Sequence, residues 1–415
     1  MDATEPVKTD PVAGRLFRAS IGVFFLGGFL TSTVSLLVPR LKLTLGLGYA
    51  DALLIQLAFH SSYLLFAIPI AFIIVRIGYM RAITVGLGVM AASCAALTAA
   101  YDTRYFLPVL GALLMLSAGI TFLQIASNTV VTLIGPAHRA AARLTLLQGF
   151  NSLGTVLGPL LCAPFLLADL VPEPETIGGN AVAVPFLASA LGLAILATLF
   201  FRNRNLLPAA TTPSAAPRTG QLLAVMADRR LFWGTTAIFA YVGAEVTIGT
   251  LLTNFLMLPE RLGATPVTAG SLVSLYWGGA MIGRFGGAWL LDRLSGPRLL
   301  LLAAIGAAAL TMIASIVPGL PGAAALILVG LCNAIMYPTI YALALPTEAD
   351  AAPLGSMWLC MAVVGGAVVP LATGSLADLA GLLPALLLPS LCYGGIALFA
   401  AAALPRPAPL KSRTG

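Results

Sequence analysis

Twelve stretches of this chain are each apolar over about 20 residues, which is the length that an α-helix needs to cross a lipid bilayer. They are residues 16–39, 52–75, 82–101, 105–134, 143–168, 181–201, 231–258, 267–291, 298–318, 322–345, 353–377 and 383–404. Several connections between them are short, such as residues 76–81 and 292–297. The pattern predicts an all-α membrane protein with twelve transmembrane helices.

The composition supports the same class of protein. Of the 415 residues, 59% are hydrophobic and 9% are charged, and the mean hydropathy is +0.99. Soluble domains carry about 25% charged residues, so the composition alone indicates a membrane protein that contacts the lipid bilayer. The first apolar stretch is too long for a signal peptide and leads directly into further spans, so no cleaved leader is expected.

Basic residues concentrate in alternate loops and at both ends of the chain. On one side lie Lys8, Arg15, Arg18, Arg76, Arg81, Arg139, Arg202, Arg204, Arg218, Arg229, Arg230, Arg293, Arg298, Arg406, Lys411 and Arg413. The opposite loops carry Arg40, Lys42, Arg104 and Arg261. The positive-inside rule therefore predicts that both termini are cytoplasmic. The net charge of +7 follows from this placement and does not indicate a nucleic-acid partner.

Residues 202–228 differ in composition from the apolar segments on either side. They contain RNRNLLPAATTPSAAPRTG, which has the composition of a linker. This predicted cytoplasmic linker divides the chain into an N-terminal six-helix bundle, residues 1–201, and a C-terminal six-helix bundle with a short tail, residues 229–415. The halves resemble distant copies, because PIAFIIVRIGYMRAI and GGAWLLDRLSGPRLL close their second spans in the same way. Repeats of this kind are typical of secondary transporters that bind substrate near the bilayer midplane.

Polar side chains recur at helical spacing inside several predicted spans. Residues three or four positions apart lie on one face of a helix, and polar groups in hydrocarbon are costly unless they face the protein interior or a water-filled cavity. The predicted substrate-binding residues are Gln124 and Asn128 in span four, Gln148 and Asn151 in span five, Tyr241 and Glu245 in span seven, and Asn333 and Tyr337 in span ten. Amides, hydroxyls and aromatic rings with one acid suit an uncharged, polyhydroxylated ligand such as a sugar. For a single Ser or Thr, interhelical hydrogen bonding is the favoured alternative.

Glu245 is an acid near the middle of span seven. A central acid costs roughly 2.5–3.5 kcal/mol on insertion scales, so it is predicted to face the cavity. It can carry a coupling proton, accept hydrogen bonds from sugar hydroxyls or help to bind Na⁺; the alternative is a structural carboxylate. Arg284 is a possible partner, but at about 1.5 Å per residue the two differ in depth by roughly 10 Å, so a direct pair is not expected.

His60 is the other titratable side chain singled out within a span, and it is either a proton relay or a packing residue. The five cysteines lie in apolar segments without CxxC or metal-ligand spacing. No metal site and no cofactor is therefore expected, apart from H⁺ or Na⁺ as a coupling ion. No nucleophile–base constellation is visible either, so the chain is not expected to be an enzyme.

The long motif QIASNTVVTLIGP…RLTLLQGFNSLGTVLGP of spans four and five resembles the fucose–glucose/galactose–proton symporter family of the major facilitator superfamily. YVGAEVTIG, LYWGGAMIGRFGGAWLLDR and YPTI are similar to its glucose/galactose permease branch. The resemblance implies the major facilitator fold, a bacterial inner-membrane location and sugar uptake with a cation by alternating access. It also implies that Gln148 and Asn151 match the amides that contact sugar in the L-fucose permeases.

The chain lacks two acidic residues found in relatives of this family but keeps a loop motif of the superfamily. The L-fucose permeases carry acids implicated in proton coupling where this chain has Ser35 and Gln124, which cannot titrate. The stretch GAWLLDRLSGPR resembles the cytoplasmic loop motif of the superfamily. That resemblance assigns gating roles to Asp292, Arg293 and Arg298.

The sequence thus favours a monomeric secondary active transporter that moves a hexose such as glucose, galactose or fucose across the inner membrane, coupled to H⁺ or Na⁺. The alternatives are an exporter of a different small solute or drug, which the lost acids would accompany, and a passive sugar uniporter.

Overall fold

The computed structural model describes residues 11–44, 49–134, 136–166, 182–205, 224–348 and 351–404. Within these ranges the regular secondary structure is helical throughout, as the sequence predicts. The spans of the first half are α1 (Pro11–Thr44), α2 (Tyr49–Ile77), α3 (Tyr79–Asp102), α4 (Phe106–Leu133), α5 (Ala140–Leu166) and α6 (Ala183–Arg202). Each of these helices overlaps one of the first six predicted spans.

The second half begins with α7 (Arg229–Met257), α8 (Pro266–Arg293) and α9 (Gly296–Ile316). The last three predicted spans are each divided into two helical segments. They are α10 (Gly319–Asn333) with α11 (Met336–Ala344), α12 (Ala352–Met361) with α13 (Gly365–Ala380), and α14 (Leu382–Ala385) with α15 (Leu387–Ala402). Ten helices among the described residues are long and apolar enough to cross a membrane, when each of the three divided spans is counted as one helix. The shorter apolar segment Ser62–Ile77 of α2 is additional.

The break between α10 and α11 has a cause in the sequence. Pro338 has no backbone N–H, and its ring clashes with the carbonyl group four residues earlier, which belongs to Ala334. The helix is interrupted at Ala334 and Ile335 and resumes at Met336. Pro338 thus accounts for the division of the tenth span into two helical segments.

Glycines allow close contact between α1 and α5, the most extensively packed pair in the first half. A Cβ atom on Gly28 would collide with the carbonyl oxygen of Asn151, and one on Gly154 would collide with that of Phe25. Small residues at such positions let two helix backbones approach within van der Waals distance. The same half is completed by packing of α3 on α4 and α6, and of α2 on α4.

In the second half, α9 packs on α10 and α15, and α7 packs on α13 and α15. Gly279, Gly283 and Gly287 of α8 form a GxxxGxxxG series, which allows close approach to the C-terminal end of α10 and the two residues that follow it. A Cβ atom on Gly283 would lie 2.7 Å from the Cβ atom of Ala334, and one on Gly287 would collide with Ile335. These contacts fix α8, which carries Arg284, against the rest of its half.

The two halves meet mainly through α5 with α8 and α11, and through α12 with α2 and α4. Consecutive spans reverse direction, so the ends of α2, α4, α6 and α8 lie at the same membrane face as the start of α1. This face, which holds Arg15, Arg76, Arg139, Arg202 and Arg293, is called the arginine-rich face below. Most of the predicted linker, residues 206–223, and both chain ends lie outside the described residues.

Candidate functional site

Glu245 of α7 forms an ion pair with Arg284 of α8, with Nη2 and Oε1 3.8 Å apart. Both side chains are largely buried, with 12% of Glu245 and 17% of Arg284 exposed. The prediction that the two residues are too far apart in depth is wrong. Side chains on a helix lean toward its N-terminus, and these two helices are antiparallel, so the side chains approach each other from opposite directions.

The ion pair has further polar neighbours in both halves of the protein. Arg284 Nη1 donates a hydrogen bond to the hydroxyl of Ser152 on α5. The Tyr276 hydroxyl donates to the backbone carbonyl of Glu245 at 3.1 Å. Among the described residues, Glu245 Oε1 has no hydrogen-bond donor. The carboxylate is thus charge-compensated but keeps an acceptor oxygen without a hydrogen bond.

The amides of α4 form a second polar group that faces α11. Asn128 Nδ2 donates to Gln124 Oε1 at 2.8 Å and lies 3.2 Å from the Tyr337 hydroxyl. The Tyr63 hydroxyl of α2 interacts with the Gln124 side chain. Within the part of the chain that the structure describes, Asn128 Oδ1 is buried without a partner. An unpaired buried carbonyl oxygen of this kind is costly unless it serves a ligand.

Tyr337 connects the amides of α4 to the ion pair. Its ring lies 6.4 Å from that of Tyr241, centroid to centroid, and Tyr241 precedes Glu245 by one helical turn. The structure therefore brings together six residues from both halves, which we call the polar cluster. They are Gln124, Asn128, Tyr241, Glu245, Arg284 and Tyr337.

The two predicted amides of α5 differ in their surroundings. Asn151 Nδ2 donates to the Phe24 carbonyl of α1 at 2.9 Å, a bond that joins the two helices. Gln148 is half-buried, and its side chain makes no hydrogen bond within the described ranges. Ser152, which contacts Arg284, lies one turn from Gln148 and donates to its backbone carbonyl at 3.2 Å. Gln148 thus lies one turn from the residue that contacts Arg284, with no hydrogen bond from its amide among the described residues, whereas the Asn151 amide is bonded to α1.

Asn333 reaches the polar cluster only through Tyr276, whose hydroxyl bonds the Glu245 backbone carbonyl. It is fully buried, and its Nδ2 donates to the Tyr276 hydroxyl at 2.8 Å. Its predicted contact with substrate stays a prediction. His60 and Ser35 lie in α2 and α1, but their side chains are outside the described part of the structure. The two alternatives for His60, a proton relay or a packing residue, therefore stay predictions.

The predicted gating residues lie at the arginine-rich face. Asp292 Oδ1 is 3.4 Å from Nε of Arg139, which belongs to the connection between α4 and α5. The Arg293 guanidinium lies 4.1 Å from the centroid of the Trp289 ring. Arg298 begins α9, where its backbone N–H donates to the Ser295 hydroxyl at 3.5 Å. Of the three, Asp292 makes the contact between the halves.

A buried hydrogen-bond chain also joins the halves near this face. The Tyr341 hydroxyl of α11 is 3.0 Å from Thr129 Oγ1 of α4 and 2.5 Å from Ser356 Oγ of α12. Ser356 in turn donates to the Ile125 carbonyl of α4 at 2.9 Å. Tyr341 lies one helical turn after Tyr337 on α11, but its partners on other helices could not be read from the sequence.

No group of three or more His, Cys, Asp or Glu side chains among the described residues is arranged to hold a metal ion. All five cysteines are free thiols. The polar cluster accordingly offers hydrogen bonds, aromatic surface and one charge pair to a ligand.

Comparison with known proteins assigns the class. Residues 19–347 match the Major Facilitator Superfamily, and the chain belongs to that superfamily. It is 38% identical over 377 residues to the glucose/galactose transporter of Brucella abortus, with 91% of each chain covered. It is 27% identical over 403 residues to the L-fucose-proton symporter of Escherichia coli, with 92% of each chain covered. These similarities confirm the family resemblance noted in the motifs of spans four, five, seven and eight.

The solved structures agree with this assignment. A crystal structure of the Major Facilitator Superfamily transporter FucP in the outward conformation matches with a TM-score of 0.84 and 26% identity. The match covers 94% of this chain and 99% of the FucP chain. The all-helical fold is therefore the major facilitator fold.

Proposed function

We propose that the protein is a secondary active transporter that moves a hexose across the bacterial inner membrane by alternating access. The observation that carries this proposal is the polar cluster, which combines amides of α4 with tyrosines and a charge pair of the second half. Relatives named as glucose/galactose transporters and L-fucose-proton symporters support a sugar as the substrate. Because one chain supplies the whole cluster, a monomer suffices for this function.

The unsatisfied groups of the site suit sugar hydroxyls. Asn128 Oδ1 and Glu245 Oε1 are acceptors without a donor among the described residues, and the Gln148 amide offers both a donor and an acceptor. Tyr241 and Tyr337 supply aromatic faces for the apolar side of a pyranose ring. A ligand rich in hydroxyls would satisfy these groups together, whereas an apolar drug would leave them unpaired at a cost of about 1–3 kcal/mol each.

The coupling ion in this proposal is a proton carried by Glu245. Arg284 Nη2 lies 3.8 Å from the carboxylate, so Na⁺ at the same oxygen atoms would be close to a guanidinium cation and repelled by it. A proton neutralises the carboxylate without adding a separate cation. Once protonated, Glu245 no longer attracts Arg284, which keeps its hydrogen bond to Ser152 in the other half.

Alternating access in this proposal is a rocking of residues 1–201 against residues 229–415, with 202–228 as the connection. We take the arginine-rich face as cytoplasmic on the positive-inside rule, with both termini there. The Arg139–Asp292 ion pair and the Tyr341 hydrogen bonds join the halves at that face. These contacts support a conformation that is closed toward the cytoplasm, in keeping with the similarity to FucP in its outward conformation.

Counterflow in proteoliposomes tests the substrate class without any ion gradient. Liposomes holding the purified protein are loaded with unlabelled glucose, galactose or L-fucose, and uptake of the same labelled sugar is followed; protein-free liposomes and mannitol loading are the controls. Exchange of one hexose is the expected result. Exchange without accumulation under a proton gradient would indicate a uniporter, and absence of exchange for all three sugars would favour export of a different solute.

A further inference from the structure

A cavity of about 340 Å³ lies between α1 and α6 at the arginine-rich face, and none of the polar-cluster residues lines it. Its inner walls are apolar and come from Leu16, Ala19 and Gly22 of α1 and from Leu196 and Phe200 of α6. The two helices approach closely at its deep end, where a Cβ atom on Gly22 would lie 3.1 Å from the Leu196 side chain. The cavity is therefore a slot that narrows toward the middle of the membrane.

The outer rim of the slot is cationic. Arg15 and Arg18 both line it and are exposed, and neither forms an ion pair within the described residues. They are three positions apart on α1, so both guanidinium groups can reach one anion from the same helix face. Asn203 lines the opposite side of the rim, although its amide nitrogen is already bonded to the Leu199 carbonyl at 2.8 Å.

The slot opens on the outer surface of the bundle, beside exposed apolar side chains of α6. Leu199 lines it and is 42% exposed, and Leu191 and Ile195 continue an exposed apolar surface along α6. An acyl chain can enter such a slot from the side, while the arginines stand at the depth of the headgroups. The lining offers too few hydrogen-bonding groups for a sugar, and a free inorganic anion would leave the apolar walls unused.

We propose that this slot binds an anionic phospholipid, with the phosphate between Arg15 and Arg18 and an acyl chain against Leu196 and Phe200. Basic pockets between transmembrane helices at a cytoplasmic face bind acidic lipid headgroups in other membrane proteins. Occupancy would brace α6 against α1, which is itself joined to α5 through the hydrogen bond from Asn151 to Phe24. The lipid would thereby stabilise the first half independently of which substrate is transported.

Native mass spectrometry of the full-length protein in detergent tests the proposal without measuring transport. The protein is titrated with phosphatidylglycerol, with phosphatidylcholine and with inorganic phosphate. Preferential retention of phosphatidylglycerol is expected. Equal retention of phosphatidylcholine would overturn the proposal, and so would loss of bound phosphatidylglycerol on addition of millimolar phosphate, which would point to a simple anion site.

Two variants separate the two parts of the slot. Arg15→Gln with Arg18→Gln should weaken phosphatidylglycerol retention roughly ten- to thirtyfold, since each basic residue near an anionic lipid contributes on the order of a fivefold effect. Ala19→Phe keeps both charges but fills the slot, and should also abolish selective retention. The matched control, Arg76→Gln with Arg81→Gln, removes two exposed arginines at the same face and should change retention less than twofold.

If the control loses as much lipid as the Arg15/Arg18 variant, attraction is nonspecific and the proposed site is wrong. If the double arginine variant does not fold, the Ala19→Phe variant and the comparison of lipids on the unmodified protein still show whether the slot binds phosphatidylglycerol selectively. Unchanged selective retention by Ala19→Phe would exclude the slot as the binding site.

Discussion

At the scale of single residues, the main feature is the Glu245 carboxylate, whose charge is balanced by an arginine but whose hydrogen-bonding capacity is only partly used. Glu245 has Arg284 at 3.8 Å, yet its Oε1 accepts no hydrogen bond among the described residues. A purely structural carboxylate in an apolar environment would be expected to have its oxygens saturated by donors. The open acceptor is consistent with a group that changes partner during the transport cycle.

We expect Glu245→Gln to abolish proton-driven accumulation, reducing it by at least about tenfold, because an amide cannot carry the proton. Counterflow should persist at a reduced rate, since a neutral amide mimics the protonated acid in shape and hydrogen-bonding capacity. Uptake of the sugar identified by counterflow, with and without a pH gradient, measures both effects.

Glu260→Gln is the matched control for this experiment, because Glu260 is an exposed acid in the loop that follows the same helix. It should accumulate sugar at the unmodified level. Undiminished gradient-driven accumulation by Glu245→Gln would remove Glu245 from the coupling mechanism.

Tyr337→Phe tests the connection between the α4 amides and the second half. The change removes the hydroxyl that lies 3.2 Å from Asn128 Nδ2, a bond worth about 0.5–1.5 kcal/mol. We expect sugar affinity to fall roughly three- to tenfold with little effect on folding, as measured by the half-saturating sugar concentration in counterflow.

Tyr79→Phe provides the comparison, because the Tyr79 hydroxyl is buried without a hydrogen-bond partner in the described structure. Removing that hydroxyl should leave the half-saturating concentration unchanged. An equal effect of both substitutions would contradict a specific role for Tyr337.

The sequence located most of the polar cluster, because helical spacing places Gln124 with Asn128 and Tyr241 with Glu245 on common faces. The ion pair with Arg284 does not follow from positions along the backbone, because the two side chains lean toward each other from antiparallel helices. The hydrogen bond from Asn151 to the Phe24 carbonyl could not be predicted from the sequence either, because the local spacing of residues does not show which other helix a side chain contacts.

At the scale of helices, close backbone contact rather than polar bonding dominates the packing of α1 on α5. Gly28 and Gly154 face carbonyl oxygens of the opposite helix, with no space for a methyl group. Sequence alone marks these glycines as candidates for close contact, but only the structure identifies which helix each one faces.

Gly154→Ala should therefore destabilise the protein, because its Cβ atom would collide with the Phe25 carbonyl and lie 2.9 Å from the Phe29 nitrogen. Overpacking of this kind costs about 1–3 kcal/mol. We expect a fall of several degrees in the apparent melting temperature in detergent, followed by fluorescence-detected size-exclusion chromatography after heating.

Gly88→Ala is the matched control on α3, where a Cβ atom would meet nothing within 4 Å. It should leave the melting temperature unchanged or raise it slightly, given the higher helix propensity of alanine. A Gly154→Ala protein as stable as this control would show that α1 and α5 can separate without cost.

At the scale of the whole molecule, an ion pair and a buried hydrogen-bond chain join the two halves toward the arginine-rich face. The Arg139–Asp292 pair is half-exposed, so it is worth at most about 1 kcal/mol. The buried Tyr341 bonds are a second contact between the halves, and they are shielded from solvent. The pattern of twelve spans predicted the fold. The contacts between the halves could not be predicted, because they join residues that are far apart in the sequence.

Arg139→Asp should shift the population toward opening at this face by up to about fivefold, because it replaces an attraction with a repulsion. Spin-label distances between the ends of α4 and α8, measured by double electron–electron resonance, report the shift. Arg139→Asp combined with Asp292→Arg restores opposite charges and should return the original distribution. A double variant that stays open would show that the pair does not hold the face closed.

The antiparallel approach of Glu245 and Arg284 has a mechanical consequence. Because each side chain reaches toward the other along the membrane normal, sliding α7 past α8 in either direction changes the length of the pair. The Tyr276 bond to the Glu245 backbone resists the same displacement. While Glu245 is charged, these two contacts thus hold α7 and α8 in register, and a displacement of this pair of helices relative to the first half changes its contact with α5. There Arg284 meets Ser152, and Gly149 leaves just enough room for the ring of Phe285.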